Sequence, residues 1–85
     1  MTSSATSADR RRPKAIAARV DGDRLRVTLV DGREISIPTA WYPWLHDATA
    51  EQQADIEIIE GGLGLWWEAM EDSLSVPGLL GLPHA

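Results

Sequence analysis

Residues 62–76, GLGLWWEAMEDSLSV, place two adjacent tryptophans, Trp66 and Trp67, at the end of an apolar stretch. On a β-strand, neighbouring side chains point to opposite faces of the sheet. Counting back from Trp67 in steps of two gives Leu65 and Leu63, so the Trp67 face is apolar throughout. We therefore expect Trp67 in the core and Trp66 on the opposite face of the same strand.

The chain around this strand is short and contains no cysteine. Its 85 residues predict one small domain with a modest core, and the lack of cysteine excludes disulfides and thiolate metal sites. The start, MTSSATSADRRRPK, lacks the apolar segment of a secretory signal, and no apolar run approaches the roughly 20 residues of a membrane span. We expect a cytoplasmic protein with a disordered N-terminal tail at residues 1–13 and one domain at residues 14–85.

Charge is distributed unevenly along the sequence. Arg10, Arg11 and Arg12 lie in the tail, whereas residues 13–85 contain five Lys or Arg and twelve Asp or Glu, a net charge of −7. An acidic domain repels a phosphate backbone. The three arginines form a candidate nucleic-acid arm, but beside an acidic domain such a run more often solubilises a tail or docks on an acidic neighbour.

Alternation of apolar and polar side chains predicts strands at residues 15–20, 24–30 and 33–37. A two-residue turn between the second and third strands would place their apolar sets on opposite faces. A three-residue loop with Gly32 in a left-handed conformation instead pairs Val27 with Ile35 on one face. Because a one-residue slip exchanges the faces, the sequence predicts the three-residue loop.

The same reasoning predicts the remaining pairs of these strands. In the three-residue register, Leu25 faces Ile37. With a four-residue loop at residues 21–24, the predicted pairs of the first two strands are Val20 with Leu25, Ala18 with Val27 and Ile16 with Leu29.

Two short helices are expected after the third strand. Pro38 ends that strand because proline has no N–H to donate to a sheet. Pro43 begins a short helix, and Trp41 and Leu45, four residues apart, are expected to share one face. The segment TAEQ at residues 49–52 is a capping box that begins a second helix.

The C-terminal part returns to strands. Residues 55–59 and 63–68 predict two of them, with a glycine-rich turn between. A terminal turn or helix is expected to lay Val76, Leu79 and Leu80 on the core. The sequence thus predicts an α+β fold with a small antiparallel or mixed sheet of about five strands and two short helices.

The segments IPTAWYPWL, DATAEQQADIEIIEGGLGLWW and EDSLSVPGLLG together resemble the small bacterial family catalogued as domain of unknown function 2442. That family's pattern has a Pro after a hairpin, an aromatic-Pro-x-Leu turn, a helix cap, a Gly-x-Gly strand ending in Trp, and a terminal Leu-Leu-x-Gly. The matched positions are Pro38, Trp41, Pro43, Leu45, Ala48, Thr49, Glu51, Gly62, Gly64, Trp67, Leu74, Val76, Leu79 and Leu80.

The resemblance implies an α+β fold with a small mixed or antiparallel sheet and short helices. It also implies a gene that often neighbours another small family of unknown function, numbered 4160, which has prompted toxin–antitoxin proposals; longer relatives add a helix-turn-helix domain. The sequence departs from the pattern where Trp44 and Gln53 replace usual arginines, Trp66 a common histidine and Glu68 a common proline. These replacements argue against a phosphate-contact role.

Candidate catalytic residues are few. His46 has Asp47 beside it, but general acid–base catalysis needs groups that converge in a cleft, and His84 is one residue from the end. No nucleophile constellation accompanies them. We therefore expect no catalytic residue and no enzymatic activity.

Candidate metal and cofactor sites are equally weak. Glu68, Glu71 and Asp72 lack the dense oxygen-ligand spacing of a calcium loop. The glycines at 61, 62 and 64 lack the Lys-Ser/Thr pair of a phosphate loop and are typical of a hairpin turn. We expect no metal and no cofactor.

The tryptophans leave an interface hypothesis. Trp41 and Trp67 hold aromatic positions of the family pattern and are expected in the core. Trp44 and Trp66 occupy positions that the family usually makes polar. They either pack at a partly exposed site or form a protein-binding patch, since Trp is enriched among interface hot spots. Trp44 and Trp66 are therefore the candidate interface residues.

The leading functional hypothesis is a non-enzymatic protein-interaction module. Its role would be antitoxin-like, or that of an adaptor for a neighbouring gene product, with another protein or a second copy as partner. The alternative is a nucleic-acid-linked transcriptional or regulatory accessory protein that uses Arg10, Arg11 and Arg12. The acidic domain argues against nucleic acid, and we expect no membrane association.

Overall fold

The computed structural model describes residues 13–81. In chain order its elements are β1 (Ala15–Asp21), β2 (Arg24–Leu29), β3 (Glu34–Pro38), a first 3-10 turn (Thr39–Trp41), α1 (Pro43–His46), α2 (Ala50–Ala54), β4 (Ile56–Ile59), a second 3-10 turn (Glu60–Gly62), β5 (Gly64–Trp67), β6 (Asp72–Ser75) and α3 (Val76–Leu79). The α+β class is confirmed, with six strands in the described part rather than about five. Of the predicted tail, residues 1–12 lie outside the described residues, and Pro13 is buried.

The strands form two antiparallel sheets, β1-β2-β3 and β4-β5-β6. Both sheets contribute to one core, because each has an apolar face that must be removed from water. The buried members of this core are Ala15, Leu25, Val27, Leu29, Leu45, Leu65, Trp67 and Val76.

The hairpin of β2 and β3 has the predicted register. Val27 pairs with Ile35, and Leu25 pairs with Ile37. The Leu29 N–H donates to the carbonyl of residue 33 at 2.8 Å, which closes a three-residue loop. Gly32 in that loop has φ +94°, the left-handed region where glycine has no Cβ penalty.

The hairpin of β1 and β2 is tighter than predicted at its turn. Val20 pairs with Leu25 and Ala18 with Val27, as expected, but the strands continue to an Asp21–Arg24 pair. The loop is therefore two residues long, not four. Its first residue, Gly22, has φ +63°, as the favoured two-residue hairpin turns require.

The predicted pairing of Ile16 with Leu29 is wrong, because β1 contains a bulge. Ala15 pairs with Leu29 and Ala17 with Thr28, which leaves Ile16 as the extra residue. Ala15 is consequently buried, and Ile16 is 60% exposed. Strict alternation along β1 places the wrong residue inside, since a bulge shifts the phase by one.

Between the sheets, Pro43 is in the first turn of α1, as predicted. The capping box of α2 is also confirmed: Thr49 Oγ1 accepts from the Gln52 N–H at 3.1 Å, and the Gln52 side chain accepts from the Thr49 N–H at 3.0 Å.

The prediction that Trp41 shares a buried face with Leu45 is wrong. Leu45 is fully buried, but Trp41 is 67% exposed. Tyr42, at φ −128° and ψ 87°, interrupts the helical backbone between them. The spacing of four residues therefore does not place both side chains on one helix face, because the i,i+4 relation holds only within a continuous helix.

The C-terminal segment adds a strand that the sequence did not predict. β6 pairs with β5, with Leu74 opposite Leu65. Ser75 then caps α3 by accepting from the Gly78 N–H at 3.2 Å. Val76 is fully buried and both Leu79 and Leu80 pack on the core, as expected. Among residues 13–81, no helix is long and apolar enough to cross a membrane.

Candidate functional site

Trp67 lies on the core side of β5, as the alternation predicts. It is fully buried, and its indole N–H donates to the carbonyl of Gln53 at 3.1 Å. The Gln53 side-chain amide donates in turn to the carbonyl of Leu45 at 2.9 Å. This chain of bonds ties α1, α2 and β5 together and satisfies the one polar group of a buried indole.

Trp66 lies on the opposite face of β5 and is half-buried. Its indole N–H donates to Glu68 Oε1 at 2.8 Å, which fixes the ring orientation. Across the sheet it pairs with Glu57 on β4 and Ser73 on β6, both exposed. A directly opposite pair has Cβ atoms about 5 Å apart. The indole therefore has carboxylates on two sides: Glu57 across the sheet and Glu68 along the chain.

A third carboxylate reaches the same face over Gly64. An ideal Cβ on Gly64 would lie 3.0 Å from Ile59 Cγ1 and 3.1 Å from Glu60 Oε1. Both side chains therefore cover the glycine, which pairs with Ile59 and is two residues before Trp66. We call this surface the Trp66 face: Glu57, Ile59, Glu60, Gly64, Trp66 and Glu68.

Glu60 holds its position with an uncommon backbone. Its φ is +55°, and Gly61 and Gly62 follow at +64° and +101°. A non-glycine residue in the left-handed region costs on the order of 1 kcal/mol. The two glycines avoid that cost, so Glu60 alone bears it.

The structure does not bring Trp44 and Trp66 together. Trp44 is half-buried on the core side, where it meets Trp67 edge-on with ring centroids 5.4 Å apart and lies 6.3 Å from the ring of Tyr42. Trp66 is on the other face of the sheet. The two indoles therefore do not form a single patch, and a contact role for either stays a prediction.

Trp41 is the surface aromatic that the sequence prediction missed. It ends the first 3-10 turn, two residues after Thr39, which is buried. The two prolines that flank this segment, Pro38 and Pro43, were the available signal, because they restrict a continuous helix through Trp41.

His46 contacts the side chain of a buried threonine. Its Nδ1 lies 2.8 Å from Thr39 Oγ1, and that hydroxyl donates to the carbonyl of Asp23 at 3.1 Å. These two contacts link α1, through Thr39, to the turn between β1 and β2.

The remaining candidate residues lie either outside the described part of the chain or in the turn and strand after Trp67. Arg10, Arg11, Arg12 and His84 lie outside the described residues. Asp72 accepts from the N–H of Ser73 at 2.8 Å, and Glu71 is in the β5–β6 turn with φ +49°. No group of three or more His, Cys, Asp or Glu between residues 13 and 81 is arranged to hold a metal ion.

The two sheets differ in electrostatics. Residues 13–38, which include the first sheet, contain all five Lys or Arg of the domain, whereas residues 39–81 contain eight Asp or Glu and no Lys or Arg. On the first sheet, Arg26 pairs with Asp21 at 3.2 Å and with Glu34 at 3.6 Å, and Arg19 pairs with Glu34 at 3.7 Å. The carboxylates of the Trp66 face have no such cation in their own part of the sequence.

These features define a small α+β domain of two three-stranded antiparallel sheets with a common core and one acidic sheet face. The chain belongs to the family described as "Protein of unknown function (DUF2442)", which matches residues 15–84. The resemblance in the sequence is thereby confirmed.

Two solved structures are similar to this chain. One is a protein of unknown function from Rhodospirillum rubrum ATCC 11170, with 34% identity, a TM-score of 0.74, and coverage of 86% of this chain and 92% of that one. The other is an uncharacterized protein from Chromobacterium violaceum, with 26% identity, a TM-score of 0.74, and coverage of 94% of this chain and 75% of that one. A comparison with curated proteins finds no match.

Proposed function

We propose that this chain is a cytoplasmic, non-enzymatic protein-interaction module. The observation that carries the proposal is the presence of two indoles at the surface of one small domain. Trp41 is 67% exposed, and Trp66 is half-buried on the sheet face that points away from the core. Tryptophan is highly buried on average in folded proteins, so two indoles at the surface are informative about binding.

Tryptophan is well suited to this role. A Trp side chain offers a large apolar area with few rotatable bonds, and it is enriched among residues whose truncation abolishes binding. The Trp66 ring is also held by its bond to Glu68, so less side-chain entropy is lost when a partner covers it. The partner is another protein or a second copy of the chain.

The family resemblance suggests the biological setting. An antitoxin-like role, or that of an adaptor for the product of a neighbouring gene, fits a small domain that acts by contact. A nucleic-acid-linked regulatory role would depend on Arg10, Arg11 and Arg12. Residues 34–81 contain nine carboxylates and no Lys or Arg. This negative charge repels phosphate and argues against the nucleic-acid role.

Site-specific photo-cross-linking in the native host tests the proposal. A photoreactive amino acid is placed at position 41, at position 66, and at Arg19 as the matched control on the first sheet, whose side chain is exposed. We expect a discrete protein adduct from position 41 or 66 and none from position 19. Equal, diffuse adducts from all three positions, or adducts of nucleic acid, would contradict the proposal.

A further inference from the structure

We propose that the Trp66 face binds an arginine-bearing polypeptide segment of a partner protein, an inference that rests on the proposed interaction function. Three features of the described residues carry it: an apolar floor, carboxylates around that floor, and the lack of a cation in the same part of the chain.

The apolar floor consists of Trp66 and Ile59. Ile59 covers Gly64, as the 3.0 Å approach to an ideal Cβ there requires, and Trp66 follows two residues later on the same face. The indole presents a π-face that attracts a cation, and arginine stacks on such a face through its planar guanidinium.

Carboxylates lie on several sides of this floor. Glu68 Oε1 is 2.8 Å from the Trp66 indole nitrogen, Glu57 is the cross-strand neighbour of Trp66, and Glu60 Oε1 lies over the position of Gly64. All three side chains are exposed. A guanidinium that stacks on the indole can therefore also form ion pairs with these carboxylates and donate hydrogen bonds to their oxygens.

The charge of this part of the chain has one sign. Between residues 39 and 81 there are eight Asp or Glu and no Lys or Arg, and the ion pairs of the described residues all lie between Arg19 and Glu34. The Trp66 face is thus the complement of a basic partner, and complementary potentials favour encounter and correct orientation.

The contrast with the first sheet makes the assignment specific. There, two arginines and two carboxylates on the outward face already pair with one another. On the second sheet, Glu57, Glu60 and Glu68 form no ion pair within residues 13–81, although the Cβ of Lys14 lies beside the turn at Gly62. A segment from another molecule supplies the missing guanidinium.

A peptide titration of the full-length protein tests this inference. The probe is a short peptide of alternating Arg and Gly, and the control is the same peptide with citrulline, which keeps the shape but removes the charge. Binding is followed by the indole N–H signal of Trp66 in nitrogen-15 NMR spectra and by calorimetry. We expect the Arg peptide to shift that signal and the amides of residues 57, 64 and 73, with binding that weakens as salt is raised.

Matched variants assign the contact to the face. We expect Trp66→Leu to weaken binding of the Arg peptide about tenfold, and Glu57→Gln to weaken it about threefold. The controls are Val30→Ala, an exposed apolar side chain in the loop between β2 and β3, and Glu51→Gln, an exposed carboxylate on α2. Both controls should bind like the wild type. Far-UV circular dichroism establishes whether each variant is folded. If Trp66→Leu does not fold, the loss of peptide binding in Glu57→Gln tests the assignment instead.

The possible results separate this inference from the proposed function. Equal binding of the citrulline and Arg peptides, or an equal loss from Val30→Ala and Trp66→Leu, would overturn the arginine assignment. If photo-cross-linking captures a protein at position 66 and the Arg peptide does not displace it, the chain is an interaction module whose face takes a different segment. A triple variant with Arg10, Arg11 and Arg12 changed to Ala gives one more outcome. If its Trp66 indole N–H signal differs from that of the wild type before any peptide is added, the occupant of the face is the chain's own tail.

Discussion

Trp66 and Trp67 are neighbours in the chain with different surroundings. Trp67 is fully buried and bonded to the Gln53 carbonyl, whereas Trp66 is half-buried and bonded to an exposed carboxylate. The peptide bond between them imposes this difference, because consecutive residues of a strand face opposite sides. One indole therefore stabilises the fold while the other remains available at the surface.

A pair of truncations tests that division. We expect Trp67→Ala to lower the free energy of unfolding by roughly 3–5 kcal/mol, because it leaves a large cavity in a small core. Trp66→Ala should lower it by clearly less and leave the protein folded. Urea denaturation followed by far-UV circular dichroism measures both. A larger loss from Trp66→Ala than from Trp67→Ala would show that the two faces are assigned in reverse.

Two glycines with similar backbones separate steric contact from backbone strain. Gly32 has φ +94° with nothing near an added Cβ, whereas Gly62 has φ +101° and an added Cβ would lie 2.9 Å from the Ala15 carbonyl oxygen. Gly32→Ala should cost about 1–2 kcal/mol from strain alone. Gly62→Ala should cost more, since β1 must also move. Equal losses of stability in urea would show that the approach to Ala15 is easily relaxed.

At the scale of elements, local signals predicted structure well. The three-residue loop and the capping box depend on a few adjacent residues, and both are confirmed. Apart from the β1–β2 turn, which has two residues rather than four, the failures involve non-local contacts. The bulge at Ile16 and the exposure of Trp41 are set by how segments meet in three dimensions, and β6 has a single large apolar side chain, Leu74, to indicate it.

The candidate site shows the same limit. Alternation alone placed Trp66 outside and Trp67 inside, but the position of Glu60 over Gly64 depends on a turn with three left-handed residues. One of those residues is a glutamate, for which this conformation is uncommon. The carboxylate arrangement around Trp66 was therefore beyond sequence reasoning, although each of its members was visible as a charge.

The capping box makes a direct prediction for α2. Thr49→Ala removes the acceptor of the Gln52 N–H and should lower the free energy of unfolding by about 1 kcal/mol. Glu51→Ala, within the same helix but outside the capping bonds, should have a smaller effect. Chemical denaturation of the two variants measures the difference, and an equal or larger loss from Glu51→Ala would rule out the cap as the cause.

The hairpin of β2 and β3 should respond to acid. The backbone N–H of Arg33, which donates to Asp31 Oδ1 at 3.0 Å, lowers the pKa of Asp31 below its ordinary value of 3.8, with a further contribution from the Arg33 side chain. Because the pKa is lowered in the folded protein, the ionised Asp31 stabilises the fold at pH values above the ordinary pKa. This contribution is lost as the pH falls through the lowered pKa.

Carbon-13 NMR titration of the Asp31 carboxyl measures this directly. We expect Arg33→Ala to keep the Asp31 pKa below its ordinary value, because the backbone N–H is the largest cause and remains. Asp31→Asn should remove this part of the acid dependence of stability, since the amide oxygen still accepts the bond but does not titrate. An unshifted carboxyl in Arg33→Ala would assign the effect to the guanidinium instead.

For the whole molecule, one core unites two sheets of different charge. Buried residues from both sheets pack together, so the acidic second sheet and the ion-paired first sheet belong to one folded unit. The eight carboxylates of residues 39–81 repel one another in that unit. The ion pairs of the first sheet act in the opposite sense, but exposed pairs each contribute only about 0–1 kcal/mol.

The balance predicts that salt stabilises the protein. Raising the ionic strength from about 0.01 M to about 0.1 M shortens the screening length from about 30 Å to about 10 Å, which weakens repulsion spread over the second sheet. We therefore expect Tm to rise with sodium chloride over this range. A Glu57→Gln, Glu68→Gln double variant should start from a higher Tm in low salt and gain less, because two of the repelling charges are gone. A Tm that falls with salt in the wild type would show that the ion pairs of Arg19 and Arg26 outweigh the repulsion, and that the acidic face is held at little electrostatic cost.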